Sequence, residues 1–202
     1  MGQTAKRIIE NFPEAEIYSF EPIPDTFANL NKTVSFLENN HKIHTFCMAC
    51  GDQNTITTVY TKENHAQNSL TDKLNVPQNG ESTEVQIVRL SDFIEKHDIP
   101  HVDILKLDVE GYEITALSGA SRFLYDNVSF IMAEVNFSVT DIRQTYFVDL
   151  EQFLRPYGFT PLGIFDVHYA AISKHLDYCD AVFVNRHAIK RKSSNASAHR
   201  PR

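Results

Sequence analysis

The chain has 202 residues, of which 42% are hydrophobic and 22% charged, a composition that suits one α/β domain with a proper core and excludes a disordered chain. It has no run of 18 apolar residues and no apolar leader at its amino end, so neither a membrane span nor a signal peptide is expected and the reading is cytoplasmic. Net charge is −7, but six Lys/Arg and no acid lie from Arg186 onward, leaving 13 basic against 26 acidic groups before it; that acidic body argues against a nucleic-acid-binding face.

In chain order, apolar spacing predicts a helix over 3–11, with Ala5, Ile8, Ile9 and Phe12 on one face and Pro13 ending it. A strand follows over 15–20. Pro24-Asp25 opens a second helix carrying Phe27, Leu30, Val34 and Leu37. Residues 42–49 read as one strand. Two β-branched strands, 55–61 and 83–90, flank a polar stretch read as a mobile loop or lid. A short helix over 91–97 has Ser91 as its expected N-cap. Then come a strand at 102–109, a helix over 112–124, a strand at 129–137 and a helix over 141–157. The last strands are 159–167 and 180–185, the final pair running antiparallel.

This alternation predicts an α/β fold with a mostly parallel sheet covered on both faces. Residues 1–185 form the expected domain, and 186–202 a basic, disordered tail.

Three cysteines are too few for a zinc site built on Cys47-x-x-Cys50, so Cys47, Cys50 and Cys179 are expected in the core. His97 and His101 are separated by Pro100 and are not read as a metal pair.

Ligands in open α/β sheets bind beyond the carboxyl ends of strands. The predicted strands end in Glu21, in Cys50-Gly51-Asp52, in Asp108 and Glu110, and in Glu134 and Asn136. The charges of Lys106, Asp108 and Glu110 would be costly inside a core strand. At a strand tip they become cleft residues, with Gly111 allowing a tight turn. Glu21 lies 19 positions after Gly2, a spacing suited to an acid that accepts both hydrogen bonds of a ribose diol.

Phe20-Glu21-Pro22, Ala49-Cys50-Gly51-Asp52 and Lys106-Leu107-Asp108-Val109-Glu110-Gly111-Tyr112-Glu113, in this order, resemble the FkbM-type S-adenosylmethionine-dependent methyltransferases over about residues 2–185. The resemblance implies a class I (Rossmann-like) methyltransferase fold, a three-layer sandwich, and methyl transfer to a hydroxyl oxygen. It implies S-adenosylmethionine as cofactor, with Glu21 and Pro22 at its ribose and Gly51 and Asp52 near its adenine. Lys106, Asp108 and Glu110 would face the methyl group and the acceptor. Family members begin with a strand and a turn resembling Asp-x-Gly-Ala-Asn-x-Gly-Gln. Only Gly2-Gln3-Thr4 matches its end, so Gly2 and Gln3 are the carried-over turn positions. The expectation is a chain starting upstream of Met1, with the first strand missing or incomplete here.

Asp108 is the first candidate for a base or acceptor-orienting group, with Glu110 or Glu134 raising its pKa and Lys106 opposing. Asp108, Glu134 and Asn136 are candidate oxygen ligands for a hard cation. His65 and Asn68 are candidate acceptor contacts. Phe137, Tyr146 and Phe147 are read as core or rim. Structural alternatives stand beside these: a Lys106–Asp108 ion pair, a turn cap at Asp52, and Glu110 satisfying amides at the next helix start. The acceptor is expected to be a small molecule, sugar or lipid, with no nucleic acid and no membrane span. The rival readings are a non-catalytic fragment or interaction module of the same fold, and a nicotinamide-dependent oxidoreductase.

Overall fold

Helices and strands alternate along the chain in a computed structural model that describes residues 2–61, 81–138, 144–171 and 175–191. The elements are α1 (Gln3–Asn11), β1 (Ile17–Phe20), α2 (Pro24–Ser35), β2 (Ile43–Phe46), β3 (Ala49–Gly51), β4 (Thr55–Thr61), β5 (Glu81–Arg89) and α3 (Leu90–Lys96). There follow β6 (Val102–Leu107), α4 (Glu113–Ser118), α5 (Ser121–Asn127), β7 (Val128–Asn136), α6 (Phe147–Leu154), β8 (Phe159–Tyr169) and β9 (Leu176–Asn185). The loop expected as a lid, with His65 and Asn68, lies outside the described residues. Among the described residues no helix is long and apolar enough to cross a membrane.

The strands form three ladders, ordered β1-β2, β3-β5-β4 and β6-β7-β9-β8. β1 runs parallel to β2, β3 to β5, and β6 to β7. β4 on β5, β9 on β7 and β8 on β9 are antiparallel, the last as expected. Burial alternates along β7. Ile131, Ala133 and Val135 of β7 are fully buried against Leu117 of α4, Leu124 of α5 and Leu150 of α6. This core lies beneath the four-stranded sheet. A smaller cluster joins α1, α2 and β2 through Ala5, Ile9, Leu30, Val34 and Ile43. A third gathers Ile23, Ala49, Val59, Val85 and Ile87.

Five expectations are corrected. The strand at 42–49 is two strands, because the chain changes partner at Cys47-Met48, from β1 to β5. Cys47 is consequently exposed, while Cys179 is buried and Cys50 partly so. The helix at 112–124 breaks at Gly119-Ala120. A Cβ at Gly119 would stand 2.0 Å from the Gly51 carbonyl oxygen, and the Gly119 carbonyl accepts the Ser91 amide at 2.9 Å. Ser91 is not the cap: α3 starts after Arg89, with no side-chain cap. Finally, α6 starts only at Phe147, with 139–143 outside the described residues. Ahead of it Thr145 and Tyr146 lie alongside Asn136, whose amide bonds the Thr145 carbonyl at 3.0 Å.

Residues 186–191 are helical and Ala188 is buried. The Asn185 side chain caps this turn, its Oδ1 accepting from the amides of His187 (3.0 Å) and Ala188 (3.2 Å). Arg191 pairs with Asp126. Residues 192–202 lie outside the described residues.

Candidate functional site

A cleft of about 1570 Å³ is lined by β1 and β6 along their lengths and reaches the residues just beyond their carboxyl ends. Glu21, Pro22, Lys106, Asp108, Glu110 and Tyr112 line that end. Five of the nine residues predicted as catalytic or cofactor-binding therefore meet at one mouth.

Glu21 follows β1 directly, its own amide bonded to the Phe46 carbonyl at 3.0 Å. Its Oε1 accepts the Ile23 amide at 2.9 Å, which fixes the carboxylate across Pro22. Partial burial raises its pKa, against lowering by the Ile23 hydrogen bond and the amino terminus. Among the described residues Oε2 makes no hydrogen bond, so the group keeps an acceptor available.

β6 ends at Leu107, which puts Asp108 beyond the ladder and exposed. Residues two apart on a strand share a face. Lys106 Nζ accordingly reaches Asp108 Oδ2 at 3.2 Å. The charged tip of this strand is thus a paired cleft rim and not a buried liability. The chain then turns through Glu110 (φ +51°) and Gly111 (φ +88°). Gly111 takes this conformation freely; Glu110 takes it at a cost, a feature that clusters at functional sites.

The turn is held by Glu113, a residue to which sequence reasoning gave no role. Its side chain is 1% exposed. Oε1 accepts the Val109 amide at 3.1 Å, and Oε2 accepts the Thr145 hydroxyl. Glu113 thereby satisfies an amide of the turn's backbone. The motif contained Glu113, but only the Thr145 contact, 32 residues away, reveals why it is buried.

Beside this turn, β7 carries Glu134 opposite Asp180 of β9. Burial, then the charges of Asp108, Glu110 and Asp180, push the Glu134 carboxyl up to about 7, with Lys106 opposing. Asp180 is raised as well, by burial first and with the Asp108 charge adding to it. Gln144 Nε2 donates to its Oε1 at 2.5 Å, and Asn136 Nδ2 donates to the Gln144 carbonyl at 3.2 Å. Glu134 and Asn136 hold the segment ahead of α6. Among the described residues no group of three or more His, Cys, Asp or Glu is placed to hold a metal ion.

The other four predicted residues do not line the cleft. Gly2 sits at the amino end of α1 with φ +81°, and Gln3 begins the helix. Gly51 lies in β3 packed by Ile87, Tyr112 and Gly119. Asp52 is exposed and lies near Tyr112, whose hydroxyl is pushed up by burial and then by the Asp52 charge. An unpredicted aromatic group backs the cleft: Phe93 packs edge-on against Phe20 (4.7 Å) and Phe46 (4.8 Å), and stacks on His97 (4.2 Å). Phe147 stacks between Phe137 and Phe183, in the core as expected.

The family model described as the Methyltransferase FkbM domain matches residues 3–161. "Methyltransferase 1" of Beauveria bassiana (strain ARSEF 2860) is 25% identical over 141 residues, covering 61% of this chain and 56% of that protein. "31-O-demethyl-FK506 methyltransferase FkbM" of Streptomyces tacrolimicus is 31% identical over 100 residues, covering 50% of this chain and 36% of that protein. Among solved structures, a methyltransferase FkbM from Methylobacillus flagellatus KT superimposes with a TM-score of 0.57 at 14% identity, over 91% of this chain and 40% of that one. That likeness supports the α/β methyltransferase fold. The chain spans about half the length of the relatives it matches, or less.

Proposed function

From the premise that this chain belongs to the FkbM methyltransferase family, we propose that it is an S-adenosylmethionine-dependent methyltransferase acting on a hydroxyl oxygen. In this reading residues 1–185 are the catalytic domain, 186–202 a basic appendage, and the location cytoplasmic. The name of the Streptomyces relative specifies a 31-O-demethyl substrate, which supports an oxygen acceptor. The acceptor class is a small molecule, a sugar or a lipid.

The observation that carries the reading is Glu21. A ribose diol presents two donors, and a carboxylate fixed at a strand tip with an acceptor left open suits it. Apolar walls beside it, from Phe20 and Ile23, suit a nucleoside. S-adenosylmethionine, when bound, supplies a sulfonium-borne methyl group. Glu21 and Pro22 would hold its ribose. By the family resemblance Gly51 and Asp52 would stand toward its adenine and Gly2 and Gln3 toward its amino-acid part, though none of these four lines the cleft.

The chain's own residues have three tasks. Asp108 orients the acceptor hydroxyl and takes its proton, the step a positioned carboxylate performs in general base catalysis. Lys106 holds that carboxylate in place through the 3.2 Å ion pair. Glu110 stands on the rigid turn at the rim and confines the acceptor. Alignment of the two reacting atoms and exclusion of water supply the rest.

Calorimetric titration of S-adenosylhomocysteine tests the proposal. The expected result is saturable binding by the wild-type chain and at least tenfold weaker binding by E21A. Absence of binding by a demonstrably folded wild-type chain would overturn it.

A further inference from the structure

Tyr112 stands where the mouth of the cleft meets β3. It lines the mouth together with Glu21 and Pro22, whereas Gly51 and Asp52 do not line it. Tyr112 reaches both of these. A Cβ at Gly51 would stand 3.4 Å from the Tyr112 hydroxyl oxygen and 3.5 Å from a carbon of its ring. The Asp52 charge is near enough to push that hydroxyl up, after burial. A ligand in the cleft on the side of Gly51 and Asp52 therefore meets Tyr112 before either of them.

The residue is held in place from three sides. Its amide donates to the Val109 carbonyl at 3.3 Å, and its carbonyl accepts the Ala116 amide at 2.9 Å as α4 begins. The next residue, Glu113, is the buried anchor of the turn. The ring itself is half-buried and packs on the main core.

Phe20 and Phe93, which also line the cleft, engage each other at 4.7 Å. Tyr112 has no ring partner among the described residues, and its hydroxyl makes no hydrogen bond among them. A tyrosine offers a flat apolar face with a polar tip. Such faces seat nucleobases, and here one stands at the same mouth as the carboxylate suited to a ribose diol.

Resting on the cofactor reading above, we propose that Tyr112 determines recognition of the base: its ring is the wall on which the adenine of S-adenosylmethionine is seated. Gly51 and Asp52 stand behind this ring and do not touch the base. Glu21 and Tyr112 then divide the nucleoside between them, the sugar to one and the base to the other.

Calorimetry with three ligands tests this: S-adenosylhomocysteine, adenosine, and S-ribosylhomocysteine, which keeps the ribose and amino-acid parts and lacks the base. Y112L should bind the two adenine ligands at least tenfold more weakly than the wild type, and S-ribosylhomocysteine within twofold of it. Y112F keeps the ring and should bind S-adenosylhomocysteine within threefold of the wild type. Equal weakening toward S-ribosylhomocysteine would make Tyr112 a packing residue and overturn the proposal. So would wild-type affinity of Y112L for S-adenosylhomocysteine, or a Y112F as weak as Y112L. A measurement on the unaltered chain stands beside the variants. Adenosine should protect Tyr112 from nitration by tetranitromethane, mapped by mass spectrometry, and S-ribosylhomocysteine should not. No protection by adenosine, or equal protection by both, would overturn the assignment. If the folded wild type binds none of the three ligands, the cofactor reading itself fails, and this assignment with it.

Discussion

Thr145 donates its hydroxyl to the buried carboxyl of Glu113, tying the turn after β6 to the segment ahead of α6. Glu113 also accepts the Val109 amide, so one side chain holds two loops at the cleft mouth. Removing either partner leaves buried polar groups unsatisfied. T145V is expected to cost about 1–3 kcal/mol and E113A ~3 kcal/mol. Urea denaturation of both single variants and the double variant measures this. A coupling below about 0.5 kcal/mol would mean that the two residues act independently.

Glu134 sets a pH dependence of stability. Burial and three neighbouring carboxylates raise its folded pKa to about 7, from an ordinary value of 4.5. The folded state then binds the proton more tightly than the unfolded state. Stability from this group is complete below about pH 4.5, declines as pH rises toward about 7, and is lost above it. Urea midpoints between pH 5 and 8 should fall accordingly in the wild type. E134Q should flatten that slope; an unchanged slope would assign the titration elsewhere.

Two glycines near β3 should respond unequally. A Cβ at Gly119 would meet the Gly51 carbonyl oxygen at 2.0 Å, backbone that cannot yield. At Gly51 the nearest atom, at 2.6 Å, is a side-chain methyl of Ile87 and not backbone. G119A is expected to lose on the order of 3 kcal/mol or more, and G51A clearly less. Thermal melts of the two variants check the order.

The Lys106–Asp108 pair separates stability from chemistry. Asp108 is exposed, and such pairs contribute little, about 0–1 kcal/mol. D108N should therefore melt within a few degrees of the wild type while methyl transfer falls by about 10²-fold or more. A D108N protein with full activity would remove Asp108 from the proposed mechanism.

Asn185 holds the last helical turn. Its Nδ2 donates to the carbonyls of Leu124, Tyr125 and Tyr157, and its Oδ1 accepts two amides. N185A should cost ~3 kcal/mol and increase proteolysis after residue 185, as read by limited digestion.

Elements with strong local signals were legible in the sequence. Pro13 and Pro24 punctuate α1 and α2, and the β-branched and apolar runs give β5 and β7 closely, while β9 starts four residues ahead of the predicted 180. Glu21, Asp108 and Glu110 could be placed at one cleft because strand ends are where such sheets bind. What stayed hidden depends on contacts between distant segments. Gly119 interrupts a helix because Gly51 lies against it. Thr145 is drawn out of a helix by Glu113 and Asn136. Cys47 is exposed because a strand changes partners there. No window of local periodicity contains those facts. The elevated Glu134 pKa is of the same kind, since the charges that raise it come from two other stretches of chain.

The two banks of the cleft have unequal support. β6 belongs to the sheet whose core includes the fully buried Leu117, Leu124, Ile131, Val135 and Leu150. β1 belongs to a two-stranded ladder backed by five buried residues, Ala5, Ile9, Leu30, Val34 and Ile43. Local opening free energies follow such differences in buried contact. The β1 bank should open at a free energy well below that of global unfolding, while β6 opens only with the whole fold. Glu21 rides on the bank that opens and Asp108 on the one that does not. A ligand gripped by Glu21 therefore works as a clasp, slowing exchange at 17–20 far more than at 102–107.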